Sequence, residues 1–198
     1  MATAWALIER PQLAVPEHVV RVHARRVGAL LAQLEVTVAA VDEYRGTIAD
    51  FFAGLPAAEW ARSLPGGQSG TTVPRLYAEL GDAVGRWQSF PHLQGQAGVV
   101  PVTDRSGKGA PVRFRFACNG QLRDAAHQFA LNSLTDREGW ARAYYDRCRR
   151  RGLRHHHAVR ALAAKWLKII FAMWRRQVPY DETYHLATMA RQHLRQPA

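Results

Sequence analysis

At 198 residues, with 47% hydrophobic and 22% charged content, the chain can bury one sizeable core, or a core plus an extended helical arm; this composition excludes a disordered or fibrous polypeptide. No run is long enough to span a bilayer. Residues 169–174, the most apolar late stretch, are fenced by Lys165, Lys168, Arg175 and Arg176, and residues 1–9 lack the basic flank of a secretory leader.

Charge is unevenly placed. Of the net +11, residues 1–100 hold 8 Lys+Arg against 9 Asp+Glu, whereas residues 101–198 hold 19 against 7. A half-chain that basic repels itself unless a polyanion supplies counter-charge, so nucleic acid is expected as partner in preference to a merely solvated surface. Cys118 and Cys148 stand at no metal-ligand spacing and fit a reducing, cytoplasmic setting, with a single disulfide between them left open.

In chain order, residues 17–52 come first. Val20, Ala24, Val27, Leu31, Leu34, Val38, Val41, Ile48 and Phe52 recur at alternating four-three spacing, interrupted only by Arg45. That heptad stripe predicts a long coiled-coil-type helix after Pro16, and too little sequence precedes it to supply a matching partner helix. A coiled-coil arm over 1–55 and a compact helical domain over 56–198 follow from this pattern.

Next come a short helix, a Gly-rich turn over 65–70, and a second short helix from Thr72–Pro74 to Gly81. The turn has no Lys ahead of its Ser/Thr and so is not a Walker A loop. A helix-hairpin-helix-like turn presenting backbone N–H groups to phosphate and a plain tight connection are both open. Residues 90–96 read as a helical turn. Residues 104–111 read as a polar loop, and residues 112–118 as a strand with Val112, Phe114 and Phe116 on one face and Arg113 and Arg115 on the other. Helices are predicted over 121–133, from an Asp136 cap to Arg151 with Gly152 as stop, over 155–177, and from Asp181 or Thr183 onward. The fold class is therefore mainly α, with a short β element.

Ser106 sits in the Gly-rich loop between Arg105 and Lys108, with Arg113, Arg115 and Arg123 close in sequence. Cations around a hydroxyl favour its alkoxide and hold a phosphate for attack, although a Ser-Gly pair in a polar loop is also an ordinary turn. Asp104 is two residues away, and His127 would have to be brought in by the fold. Arg147, Arg149, Arg150, Arg151 and Arg154 form a dense patch suited to backbone phosphates, and Lys165 follows. His155, His156 and His157 are adjacent on a helix, so they point in different directions and suit a solvated or phosphate-facing cluster better than a metal site. The seven acids after residue 100 form no cluster, so no metal site is expected on this chain.

Leu64-Pro-Gly, Val73-Pro-Arg-Leu-Tyr-Ala-Glu-Leu-Gly-Asp82, Gly98-Val-Val-Pro-Val-Thr-Asp-Arg-Ser-Gly-Lys108, Tyr144-Tyr145, Ala158-Val-Arg-Ala-Leu-Ala-Ala-Lys-Trp166 and Val178-Pro-Tyr-Asp181 together resemble insertion-sequence transposases of the IS-one-ten family, the bridge-RNA-guided recombinases. The resemblance runs over roughly residues 19–187 and covers only the C-terminal half of such proteins. It implies that Ser106 is a nucleophile forming a transient phosphoserine link to DNA. It also implies that Mg²⁺ belongs to an absent RuvC-like acidic domain, and that DNA and a structured guide RNA are partners. A chain of this kind is expected to be inactive alone. It pairs through its coiled coil with a second copy or with a full-length transposase, or else serves as a non-catalytic accessory factor or inhibitor.

Overall fold

A computed structural model describes residues 15–68, 70–83, 85–103, 112–113 and 115–194. It is mainly helical, and the chain divides into two compact units, residues 1–44 and 45–198. Helix α1, Glu17–Ala53, supplies all the described structure of the first unit beyond Val15 and Pro16. Pro16 opens it: its carbonyl accepts from Val19 N–H at 2.9 Å and Val20 N–H at 3.2 Å. Within this unit Val20, Val27, Leu31, Leu34, Val38 and Val41 are 41–57% exposed. The heptad stripe is present, and among the described residues of its own unit nothing covers it.

The second unit begins with the last turns of α1, where Phe52 is buried and meets Tyr77 edge-on at 5.7 Å. No basic residue lies in the last turn of α1 to offset its carbonyls. Arg62, from α2 (Glu59–Arg62, preceded by a 3-10 turn at Pro56–Ala58), does so instead: its Nη1 donates to the carbonyls of Phe52, Ala53 and Leu55 at 3.1, 3.2 and 2.8 Å. The Gly-rich turn then leads to α3, Thr72–Leu80. A Cβ at Gly67 would lie 2.5 Å from the Arg62 carbonyl oxygen, so only glycine fits there. Gly67 N–H donates to Leu64 O at 2.8 Å and Gly70 N–H to Gly66 O at 3.2 Å. Those two donors are thus spent inside the turn, which favours the tight-connection reading of it.

Helix α4, Phe90–Gln96, is capped by the Ser89 hydroxyl, which accepts from His92 N–H. Strands β1 (Val102–Thr103) and β2 (Val112–Arg113) pair antiparallel, and α5 (Gly120–Asn132), α6 (Trp140–Arg150), α7 (His155–Arg176) and α8 (Glu182–Leu194) complete the chain. Helix α7 is the spine. It buries Val159, Leu162, Ala163, Trp166, Leu167, Ile170, Met173 and Trp174 along one three-four stripe, against α5, α6 and α4. Facing it, α5 buries Leu122, Ala125, Ala126, Phe129 and Ala130, and the alanines let the two backbones approach closely.

Tryptophan N–H groups pin this core to the chain around it. Trp166 Nε1 donates to Ser133 Oγ at 2.9 Å, Trp174 Nε1 to Gly81 O at 2.9 Å, Trp87 Nε1 to Leu80 O at 2.9 Å and Trp140 Nε1 to Tyr180 Oη at 2.8 Å. Tyr180 N–H in turn donates to Ser63 Oγ at 2.6 Å, which ties the segment before α8 back to α2.

Two sequence expectations need correction. The strand expected over 112–118 does not run to its end: among the described residues Val112 and Arg113 are strand and 115–118 are not, and Asn119 N–H donates to Gln96 O at 2.7 Å. Helix α6 does not start at Asp136. That carboxylate accepts from Glu138 N–H at 3.1 Å in a local turn, and Gly139 caps the helix, with a Cβ there 2.7 Å from Asp136 Oδ2. The far end of α6 stops as expected. Gly152 takes φ +87° and its N–H donates to Arg149 O, while Leu153 N–H donates to Cys148 O, a Schellman closure. Cys118 and Cys148 are both free thiols. No described helix is long and apolar enough to cross a membrane.

Candidate nucleic-acid interface

Val102 pairs with Arg113 and Thr103 with Val112, so the two ends of residues 104–111 are held side by side. Arg105, Ser106 and Lys108 themselves lie outside the described residues, as does Phe114. Beyond β2 the chain turns sharply. Cys118 Sγ donates to the Arg115 carbonyl at 3.7 Å, and Gly98, at φ +60°, passes so close that a Cβ would lie 2.7 Å from that sulfur. The Asn119 side chain then organises the start of α5: its Oδ1 accepts from Gln121 and Leu122 N–H at 2.9 and 3.2 Å, and its Nδ2 donates to Glu79 on α3 at 3.2 Å. Arg115 is half-buried, and its Nε is buried without a hydrogen-bond partner among the described residues.

Arg123 follows within the first turn of α5. Its Nη1 reaches Cys118 Sγ at 3.8 Å and its Nε lies 3.3 Å from Asp124 Oδ1, so the turn after β2 and the head of α5 share one cation. One turn on, the His127 ring stacks on His156 of α7 at 6.0 Å between centroids and 28° between planes. Arg160 stands one turn after His156, close enough to Arg123 for their charges to interact. Burial, then repulsion from His156, Arg160 and His155, pushes the His127 pKa below its usual value against a weaker opposite pull from Asp124. Burial and Arg123 likewise lower that of Arg160. Two imidazolium rings 6.0 Å apart repel by roughly 2–3 kcal/mol at the effective dielectric of a protein surface, an upper figure once solvent screens them.

The Arg patch lies at the α6–α7 junction. Arg149 Nη1 donates to Leu153 O at 2.8 Å and Arg147 covers the Tyr144 ring at 5.4 Å, so these two also serve the helix end, where cations suit the dipole. Arg150, Arg151 and Arg154 are exposed, and Arg154 is the residue before α7. The first turn of α7 holds three histidines and no acid. His155 Nδ1 lies 2.8 Å from the Tyr145 hydroxyl. Lys165 belongs elsewhere: it lines a cleft of about 240 Å³ between α7 and α8 with Lys168 and Arg176, and burial, Lys168 and Arg147 lower its pKa. The candidate cations thus fall into two groups, one running from Arg115 through Arg123 to the head of α7, the other around Lys165.

Sequence reasoning named Arg123 and mentioned His127, but did not join them to His156 and Arg160. The signal was there in part: 123/127 and 156/160 are both spaced by four, which sets each pair on one helix face. That the two faces adjoin is a matter of how α5 packs on α7. Among the described residues no three His, Cys, Asp or Glu side chains are placed to hold a metal ion.

The chain is 32% identical over 154 residues to a Streptomyces coelicolor protein named for the transposase of the IS117 mini-circle, with 78% of this chain and 37% of that protein covered. It is 32% identical over 187 residues to the 42 kDa protein of insertion element IS900 from Mycobacterium paratuberculosis, covering 89% of this chain and 44% of that one. A 43.6 kDa protein of insertion element IS110 from Streptomyces coelicolor matches at 33% over 112 residues, 54% of this chain and 27% of that one. The chain thus spans less than half the length of each of these relatives. Residues 58–146, from the 3-10 turn through most of α6 and including the β1–β2 pair and Arg123, match the family described as Transposase IS116/IS110/IS902.

Proposed function

We propose that this chain is the nucleic-acid-binding, serine-bearing part of an insertion-sequence transposase, inactive on its own. The observation that carries the reading is the cationic run from Arg115 and Arg123 to the head of α7, next to the strand ends that hold residues 104–111. In this reading Ser106 is the nucleophile: Oγ forms a bond to the phosphorus of a DNA phosphodiester, its proton passes to a base, and the leaving oxygen departs with the broken P–O bond's electrons. The product is a transient phosphoserine link. Arg105, Lys108, Arg113, Arg115 and Arg123 hold the phosphate, while Arg147, Arg149, Arg150, Arg151, Arg154 and Lys165 contact flanking backbone, on DNA or on a structured guide RNA. In this reading Mg²⁺ is held by an acidic domain supplied by another part or another chain.

The exposed stripe from Val20 to Val41 supports pairing with a second copy or with a full-length transposase. It equally favours a second reading, in which the chain is a non-catalytic accessory factor or inhibitor that engages a complete transposase through α1. One experiment separates them: cleavage and strand transfer of a synthetic insertion-end oligonucleotide, with and without a full-length relative. Activity gained on mixing, with a covalent protein–DNA adduct abolished by Ser106→Ala, supports the catalytic reading. Suppression of the relative's activity that is indifferent to Ser106→Ala supports the inhibitor and overturns it.

A further inference from the structure

Four nitrogen-bearing side chains meet on the rim of the α5–α7 contact. Arg123 and His127 lie one turn apart on α5, His156 and Arg160 one turn apart on α7, and each pair flanks the apolar stripe by which its helix packs. The two imidazoles stack at 6.0 Å and link the pairs. We infer that Arg123, His127, His156 and Arg160 form a phosphate-binding site that takes up a proton as it binds, so that its hold on a nucleic-acid backbone tightens as pH falls. This rests on the nucleic-acid reading above and adds a regulation to it.

The chemistry follows from what faces the imidazoles. On α5 this is Asp124; on α7 they are His155, His156 and Arg160, whose charge in turn meets that of Arg123; on α6 Tyr145 engages His155 through its hydroxyl. Asp124 is the one acid among the groups acting on His127, and Arg123 already lies against it at 3.3 Å. With no anion bound, burial opposes protonation of His127, and the added cation would stand beside His156, the Arg160 guanidinium and His155. A phosphodiester oxygen at the rim reverses that balance. An imidazole nitrogen takes a proton from solvent, becomes a second N–H donor, and donates to the phosphate. The guanidiniums are charged throughout and hold the anion at any pH; the imidazoles add to that hold only once protonated. Because the site sits at the turn after β2, through the Arg123–Cys118 contact, the phosphate it holds lies next to the ends of residues 104–111.

The test is the affinity of the whole chain for a synthetic DNA duplex at pH 8.0, 7.0 and 6.0 and constant ionic strength, with proton uptake measured by calorimetry in two buffers of different ionisation enthalpy. Wild-type affinity should rise about five- to tenfold from pH 7.0 to 6.0, close to the limit of about tenfold per pH unit for uptake of one proton. His127→Gln and His156→Gln should each remove most of that gain. His156 is exposed, so its variant tests the site even where His127→Gln disturbs packing. His92→Gln, remote on α4, should keep the full pH response. If both variants titrate like wild type, or wild type binds without proton uptake, the site is refuted while duplex binding survives. If no duplex is bound at any pH, the nucleic-acid reading falls with it.

Discussion

Ser133→Ala is expected to destabilise the second unit by about 1–2 kcal/mol. Ser133 is the one buried polar side chain among the described residues, and its hydroxyl works twice: it accepts from Trp166 Nε1 at 2.9 Å and donates to the Ala130 carbonyl at 2.8 Å. Trp166 is 2% exposed and holds the aromatic cluster of Phe129, Trp140 and Tyr180, with centroids at 5.0, 4.6 and 5.5 Å. Removing the acceptor leaves a buried N–H with nowhere to turn, a cost of about 1–3 kcal/mol. A cleft of about 340 Å³ lined by both Ser133 and Trp166 lets a water approach, which favours the lower part of that range. Chemical denaturation should show the loss as a lower midpoint at unchanged slope, with a fall of roughly 2–8 °C in Tm for a unit of this size. The decisive comparison is a double-mutant cycle. In a Trp166→Phe background there is no indole N–H to orphan, so Ser133→Ala should cost only about 0.5 kcal/mol, the price of its remaining bond to Ala130. Additive losses, or a single mutant indistinguishable from wild type, would refute the claim that this bond pins α7 to the end of α5.

Gly67→Ala should destabilise by about 1–3 kcal/mol, because the new Cβ meets the Arg62 backbone carbonyl and not a side chain that can move; thermal melts against Gly85→Ala, where nothing lies within 4 Å, check it. The pKa values of His127 and His185 are both lowered, mainly by burial, with His156 and Lys165 respectively the next cause. Their contribution to stability is therefore full above the unfolded value of about 6.5 and is lost as pH falls through the lowered folded value. Urea denaturation should show stability declining from pH 7.5 to 5, and His185→Gln should flatten that decline. Replacing Arg149, Arg150 and Arg151 together by Ala should weaken duplex binding and reduce the log–log salt slope by up to about 3; unchanged affinity at every ionic strength would remove the patch from the interface.

Local patterning determined the element list. Four-three spacing marked α1 and α7, Gly152 and Gly81 marked helix ends, and Phe90–Gln96 was legible from its flanking turn. These are nearest-neighbour effects, set by backbone preference and by which face of a helix is apolar, and a sequence carries them openly. The resemblance likewise pointed to a transposase family that the matched residues 58–146 bear out. Where local rules compete, tertiary packing decided. Asp136 resembles a helix cap, but its carboxylate is taken by Glu138 N–H and the start of α6 passes to Gly139; the alternation from Val112 to Cys118 resembles a strand, but residues 115–118 are not strand and Asn119 is bonded to Gln96. The join of Arg123 and His127 with His156 and Arg160 also belongs to the tertiary structure. Charges about thirty residues apart in sequence meet only because α5 buries its alanine face against α7, and no periodicity along one helix encodes which helix will lie beside it.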